Sequence, residues 1–295
     1  MLIDPKPTEV TLETDPRFAF GANWWRFLSR LTEPQIATAE QSIQKLFHRE
    51  RLDGLTFLDV GSGSGLFSLA ANRLGAIVTS IDFDPQSVAC AEELRRRYGS
   101  GNGWTIQQGS ARDQKMMASL GQFDIVYSWG VLHHTGDMWS AIAITAQATR
   151  PGGHFCLSIY NDQGAASDRW KTVKKLYVAS PSFIRLLIVL AVVLAYECYA
   201  IPVNLFRSLM LVIRFRNPLP IWQAWFQSRF GQKERGMYYW TDMVDWVGGW
   251  PFEVAKPEEI FRFLRDRGFT LFEMRTVGGR LGCNEFVFRR DDSTD

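Results

Sequence analysis

Apolar and polar positions along this chain follow two rhythms that trade places from Leu55 onward. Short apolar runs of strand length alternate with stretches whose apolar residues recur at helical spacing. LTFLDV (55–60) and AIVTSID (76–82) read as strands, and between them Leu66, Leu69, Ala70 and Leu74 share one helical face. Asp84-Pro85 supplies an N-cap and a first-turn proline for a helix to about Arg97. WTIQQG (104–109) and FDIVYSW (123–129) read as the third and fourth strands. A helix over about 137–149 stops at Arg150-Pro151-Gly152-Gly153, and HFCLSIY (154–160) is the fifth strand.

Strands that are apolar on both faces and separated by helices predict an α/β fold. It is a doubly wound, mostly parallel sheet covered on both sides by right-handed crossovers. The C-terminal end breaks the rhythm: after a helix over about 257–267, FTLFEMRTV (269–277) and NEFVFRR (284–290) flank a glycine-rich loop suited to an antiparallel hairpin. The chain is thus expected to divide into a helical lid over 1–50, a sheet domain from 51–162 and 257–295, and a large helical insertion after strand five, over 163–256.

The insertion contains LLIVLAVVLAY (186–196). Only eleven residues separate Arg185 from Glu197, fewer than the roughly 18 to 20 that cross a bilayer, so no membrane span is expected. The expectation is a buried cap helix. The alternatives are peripheral membrane contact through 182–216, with Arg207, Arg214 and Arg216 meeting acidic headgroups, and a self-association surface in a homo-oligomer.

Composition narrows the class. With 295 residues, 46% hydrophobic and 22% charged, the chain is globular. Its net charge of +2 hides an asymmetry: positions 164–235 carry eleven Lys/Arg against three Asp/Glu, which leaves the remainder at −6. These basic residues are interleaved with Leu, Ile and Val, and neither an Asn/Asp-Pro-Pro-Tyr motif nor a Pro-Cys pair is present, so nucleic acid is not an expected partner. Cys90, Cys156, Cys198 and Cys283 lie far apart, which argues for reduced thiols and against a zinc ribbon or a disulfide framework. MLIDPKPTEV shows no basic stretch followed by an apolar core, so no signal peptide is expected. The protein is read as cytoplasmic or peripheral on the inner face of the membrane.

Candidate chemistry centres on LDVGSGSG (58–65). A dinucleotide fingerprint would place its third glycine at position 66, where Leu66 stands, and no Gly-Lys-Ser/Thr follows for a nucleotide-phosphate loop. What is present is Asp59 followed by Gly61, Ser62, Gly63 and Gly65. A carboxylate there repels a pyrophosphate and suits a ligand bearing an ammonium group and a sulfonium. Asp82, seventeen residues beyond Gly65, ends the second strand where a carboxylate can accept both hydroxyls of a ribose. Phe83 is placed to pack on an adenine face, and Ser110 and Ala111 to read its edge.

Together these motifs resemble the class I S-adenosylmethionine (SAM)-dependent methyltransferases, over about Leu55 to Tyr160 plus the C-terminal hairpin. LDVGSGSG is similar to their first motif, SIDFD to their ribose-binding acid and QQGSA to their adenine-side turn. FDIVYSWGVLHH and RPGG correspond to the fourth- and fifth-strand motifs. FGANWWRF, IYNDQG, DWVGGWPFE and GCNEF extend the resemblance to a bacterial group labelled polyprenyl-quinol (benzoquinol) methylase-like. The resemblance implies a seven-stranded sheet in the order 3-2-1-4-5-7-6 with the last hairpin antiparallel, SAM as methyl donor and S-adenosylhomocysteine as product. It also implies that the loop after strand four, with Ser128 and Trp129, lies over the cofactor, and that Asn23, Trp24 and Trp25 belong to a closing lid.

Methyl transfer from a sulfonium is an in-line displacement in which the protein chiefly aligns the reactants and excludes water. A base is needed only where the acceptor must lose a proton. His133 and His134 are candidates because imidazole titrates near neutrality, together with Tyr160 at the end of strand five and Asp245 among tryptophans. Asn161, Trp246 and Glu285 are candidate acceptor contacts. No metal is expected, since the side chains of two adjacent histidines should point apart and no third ligand is spaced to join them. The sequence reading is a methyltransferase for a small-molecule acceptor, lipophilic or aromatic, with oxygen the default target. A small thiol or amine acceptor, and a non-catalytic SAM-binding docking module, stay open.

Overall fold

Seven runs of strand-forming residues pair into one sheet: β1 (Thr56–Val60), β2 (Ile77–Asp82), β3 (Trp104–Gln108), β4 (Phe123–Trp129), β5 (Thr149–Tyr160), β6 (Phe269–Arg275) and β7 (Cys283–Arg290). The computed structural model describes residues 24, 27–29, 31–100, 103–230 and 239–292, with Thr241 described by its backbone alone. The sheet order is β3-β2-β1-β4-β5-β7-β6; β7 runs antiparallel to both β5 and β6, and the rest of the sheet is parallel. β1 lies between β2 and β4, with Asp59 opposite Ser80 on one side and Tyr127 on the other. The chain therefore moves outward from β1 to β3 and returns on the far side at β4. That reversal opens a crevice at the carboxyl ends of the central strands.

Helices cover both faces. On one lie α1 (Glu33–Phe47), α2 (Leu66–Arg73) and α3 (Pro85–Tyr98), whose Ile36, Ile43, Leu69 and Leu94 join Phe57, Val78 and Ile125 in one buried core. On the other lie α4 (Gln114–Ser119), α5 (Met138–Gln147) and α10 (Pro257–Arg265), which close over Leu58, Val126, Phe155 and Phe288. Local chemistry starts several of these helices. The Asp84 carboxylate accepts from the Gln86 N–H at 2.8 Å with Pro85 in the first turn, and Asp113 caps α4 through the Met116 N–H at 3.0 Å. The short helix α4 has no counterpart in the sequence pattern. Two boundaries differ as well: β5 begins at Thr149, so Arg150-Pro151-Gly152-Gly153 lies within the strand, and a register irregularity against Phe123/Ile125 absorbs it.

Within the expected lid over 1–50, the described residues take two different places. Glu33–Phe47 is a core helix on the sheet, with Ile36 and Ile43 fully buried, while Trp24 and Phe27 reach the carboxyl edge of the sheet. Asn23 and Trp25 lie outside the described residues.

The insertion folds as α6 (Ala165–Ala179), α7 (Ser182–Ile213), α8 (Leu219–Phe230) and α9 (Tyr239–Gly248), around a small core of its own that includes Tyr177, Val178, Val189, Met243 and Val247. The expected buried cap helix is overturned here, because within the 32 residues of α7 only Val189 is buried. The eleven-residue limit falls too. Glu197 does not break the apolar surface, since its carboxylate turns inward to Arg229 (2.9 Å), to the Trp225 indole N–H (3.0 Å) and to the Tyr239 hydroxyl (3.3 Å). By length and composition α7 is long and apolar enough to cross a membrane. Its inner face is nonetheless committed to the protein, where Val192, Val193 and Tyr196 pack on the insertion core. At its start, the Arg185 guanidinium donates to the carbonyls of Tyr177, Val178 and Ser180 around the end of α6.

Candidate active site

The turn from β1 into α2 is pinned before any ligand arrives. The Gly61 and Ser62 amides donate to the Ile81 carbonyl at 2.8 and 3.1 Å, and the Gly63 amide donates to the Asp82 carboxylate at 2.8 Å. Gly61 and Gly63 have φ of 77° and 54°, and a Cβ on Gly63 would lie 2.9 Å from the Trp24 indole, while one on Gly61 would overlap the Val131 methyls. The glycines are thus required by neighbours from the N-terminal segment and the β4 loop, which close down on the turn from above.

A cavity of ≈ 920 Å³ runs along the carboxyl edge of the sheet. One part is lined by Asp59, Gly61, Ser62, Gly63, Asp82, Phe83, Ser110, Ala111 and Trp129, with Trp24 over them. Gly65, at the head of α2, is not on the wall; its φ of 79° and the nearby Ala91 make it a packing glycine. The other part is lined by His134, Tyr160, Asp245, Trp246 and Trp250, with Tyr196 from α7 and Cys283 from the head of β7.

Asp59 is the buried anion of the first part. Its carboxylate accepts from the Ser68 hydroxyl at 2.5 Å, Ser68 accepts from Ser80 at 2.7 Å, and Ser80 accepts from the Trp104 indole N–H at 2.7 Å. Burial outweighs this support and pushes its pKa up to about 7. The two oxygens of Asp82 each hold one backbone amide, Gly63 at 2.8 Å and Asp84 at 2.9 Å, and burial raises its pKa as well. The Ser62 hydroxyl is buried at the turn with no hydrogen-bond partner among the described residues.

The structure does not bring every sequence candidate to the cavity. Ser128 is buried behind it, donating to the Val60 carbonyl at 2.9 Å, so it ties β4 to the end of β1. The Asn284 side-chain amide donates a hydrogen bond to the Asn161 side-chain oxygen at 3.0 Å, tying the ends of β5 and β7 together, and Asn161 lies off the wall. Glu285 is also off the wall, on β7 opposite Ser158. His133 is fully buried beneath Tyr160, with ring centroids 4.0 Å apart. Burial, then the neighbouring His134 and Lys174, hold its pKa well below the usual histidine range. His134 does line the cavity, but the expectation that the two rings point apart is overturned, since their centroids lie 4.4 Å apart. The His134 Nδ1–H donates to the Pro251 carbonyl at 2.6 Å, and burial drives its pKa down to about 3. Both imidazoles are therefore neutral and feebly basic, and neither suits the general-base role expected of them. Among the described residues no cluster of three or more His, Cys, Asp or Glu is arranged to hold a metal.

Two residues of this region escaped the sequence pattern. Tyr196 was hidden inside an apolar run. Lys174 was one of two adjacent lysines on α6, yet it is fully buried, its ammonium donating to the Trp246 carbonyl and lying 4.3 Å and 4.8 Å from the Trp246 and Phe252 ring centroids. Burial lowers its pKa to about 7, against the opposing pull of Asp245. For a cationic base, a folded pKa below the unfolded value means that the unfolded chain binds more protons between the two. Stability then rises with pH across that interval and its penalty is complete below about 7. Thermal unfolding should therefore show wild-type Tm climbing from pH 7 to 9 relative to Lys174→Met, which lacks this term; parallel curves for the two proteins refute the buried titration.

Comparison with known proteins agrees with this geometry. Residues 58–157 match the family described as a methyltransferase domain. The chain is 29% identical over 164 residues to a ubiquinone biosynthesis O-methyltransferase of Methylocella silvestris, covering 50% of this chain and 62% of that protein. It is 33% identical over 152 residues to the one of Xanthomonas euvesicatoria pv. vesicatoria, covering 51% of this chain and 62% of that protein. The match thus spans about three-fifths of the length of these curated relatives. Among solved structures, magnesium protoporphyrin IX methyltransferase from Synechocystis PCC 6803 with bound SAH superimposes with a TM-score of 0.50 at 15% identity, over 92% of this chain and 94% of that one. That likeness is one of fold. This chain is similar to methyltransferase domains over residues 58–157, which run from β1 into β5.

Proposed function

We propose that this protein is a SAM-dependent O-methyltransferase acting on a small lipophilic or aromatic acceptor. The observation that carries the reading is the single cavity in which a carboxylate-and-glycine half, suited to the donor, opens into a half walled by aromatic rings of the insertion. The residues present fit SAM. Asp59 offers a buried anion to an ammonium group, the Ser62 hydroxyl awaits a partner, Asp82 keeps lone pairs for ribose hydroxyls, and Phe83, 47% exposed, presents a ring face. SAM supplies an electrophilic methyl group on a sulfonium.

The chain's own part is to align and to dry the site. Trp24 and Trp129 wall the donor half, while Tyr160, Trp246, Trp250 and Tyr196 wall the acceptor half with surface that favours an aromatic ring. Asp245 is the candidate base for an acceptor hydroxyl. It sits on that wall, and its negative charge acts on Lys174 and Tyr160. His134 contributes a neutral, oriented wall. An oxygen acceptor is further supported by the names of the curated relatives. A lipophilic acceptor also fits a place of work on the inner face of a membrane.

Three measurements test this reading. In calorimetry, Asp82→Ala should weaken SAM binding by about 1 to 3 kcal/mol, through loss of charge-assisted bonds and of the amide that it holds at Gly63. Unchanged affinity removes Asp82 from the donor site. Binding of an ammonium requires Asp59 ionised, and its pKa in the free protein is raised to about 7. SAM affinity should therefore fall as pH drops below 7, by up to about tenfold per unit, and Asp59→Asn should be weak and flat with pH. A flat wild-type profile counts against Asp59 as the ammonium partner. Finally, methyl-labelled SAM incubated with the protein and fractionated cell extract should place label in the lipid fraction. Label in polar metabolites alone removes the lipophilic acceptor, and binding without transfer to any fraction removes the enzyme.

A further inference from the structure

The outer face of α7 is a continuous apolar surface that none of the described residues covers. Phe183, Leu187, Leu190, Leu194, Leu205 and Leu209 are among its exposed residues, on a helix about 48 Å long at 1.5 Å per residue. α8 folds back alongside the second half of α7: the Trp222 indole donates to Ser208 at 3.0 Å, and Arg229 and Trp225 bind Glu197, so the start of α8 meets the end of α7 and the end of α8 meets its middle. The pair is an antiparallel hairpin whose polar groups face inward on each other. Its outer side adds Leu219, Phe226 and Phe230. At the tip stands Arg214-Phe215-Arg216, with the Phe215 side chain 100% exposed.

Charge decides what covers this face. Positions 182–230 contain one acidic residue, Glu197, and it is consumed inside the hairpin. Among the described residues no carboxylate lies within ion-pair reach of Arg207, Arg214 or Arg216. A second copy of the chain docking by this same face would set arginines against arginines, whereas a bilayer containing anionic lipid supplies both the apolar layer and the phosphates. A span is disfavoured by the inner face, which packs Val192, Val193 and Tyr196 against the body of the protein and leaves only one side for lipid.

We propose that the α7–α8 hairpin lies in the interface of an anionic lipid bilayer, its apolar side sunk to the acyl boundary and Phe215 inserted between headgroup-bound Arg214 and Arg216. The same helix presents Tyr196 to the cavity from its opposite side, so the docked helix forms the partition between lipid and acceptor pocket. The docking surface goes beyond the methyl-transfer reading and stands without it.

The test is co-flotation of the full chain with vesicles of phosphatidylcholine containing 30% phosphatidylglycerol and with vesicles of phosphatidylcholine alone. The wild type should float with the anionic vesicles, more weakly with the neutral ones and less at high salt. Leu194→Glu/Leu205→Glu should reduce binding to both at least tenfold, and Arg214→Glu/Arg216→Glu should erase the preference for anionic vesicles. SAM calorimetry on the same proteins reads folding and the donor site separately, so loss of flotation with SAM affinity retained is the expected pattern. A wild type that floats with neither vesicle overturns the proposal, as does undiminished binding by the leucine variant. Light scattering that shows a wild-type dimer, converted to monomer by Leu194→Glu/Leu205→Glu without vesicle binding, assigns the face to a second copy instead. Failure to bind SAM in an otherwise floating wild type would remove the methyltransferase reading and leave the docking surface intact.

Discussion

The turn after β1 leaves no room for a side chain at Gly61, and that closeness organises the site. Val131 presses on it from the β4 loop, and Trp24 covers Gly63 from the segment before the sheet. Three distant parts of the chain therefore meet at one turn. Its amides are satisfied by Ile81 and Asp82 at the end of the neighbouring strand, so the turn is preorganised, and the space left beside it becomes the cavity. A side chain at Gly61 would displace the β4 loop, and with it the wall formed by Trp129 and His134.

Beneath the cavity the protein holds polar groups in places where burial is costly. Asp59 is supported by a line of donors through Ser68 and Ser80 to Trp104, and Lys174 by a carbonyl and a collar of rings. Both have pKa values shifted toward the neutral form by burial. The two differ in exposure to the cavity: Asp59 is on the wall, while Lys174 is behind it and acts on Asp245 through charge. A buried carboxyl group thus lies at one end of the cavity and a buried lysine beneath the other.

The insertion is apolar on both sides for different reasons. Its inner side builds a small core around Met243 and Val247 and lines the cavity. Its outer side carries exposed leucines and phenylalanines in a length that no described part of the chain covers. Glu197, Arg229 and Trp225 stitch the hairpin from within, which allows one acidic residue to sit in a long apolar helix without breaking its outer surface.

Much of this was legible in the chain itself. Strand-length apolar runs, Asp84-Pro85 and the glycine-rich hairpin set the strands, the start of α3 and the reversed edge, because local periodicity and turn chemistry act within a few residues. Asp59, Gly61, Gly63 and Asp82 marked one end of the cavity for the same reason: they lie at two consecutive strand tips. Tertiary structure decided the rest. Burial first, and the nearby Lys174 after it, hold His133 and His134 neutral, while Ser128 and Asn161 are taken off the cavity by hydrogen bonds between strand ends and Glu285 by its place on β7. Burial also selected Lys174 over its neighbour Lys175, and made Glu197 an internal partner when its position in the sequence read as an interruption. A chain pattern states which residues are apolar or charged. Which of them lose water, and to what neighbour, is a property of surfaces brought together from residues 32 to 123 positions apart.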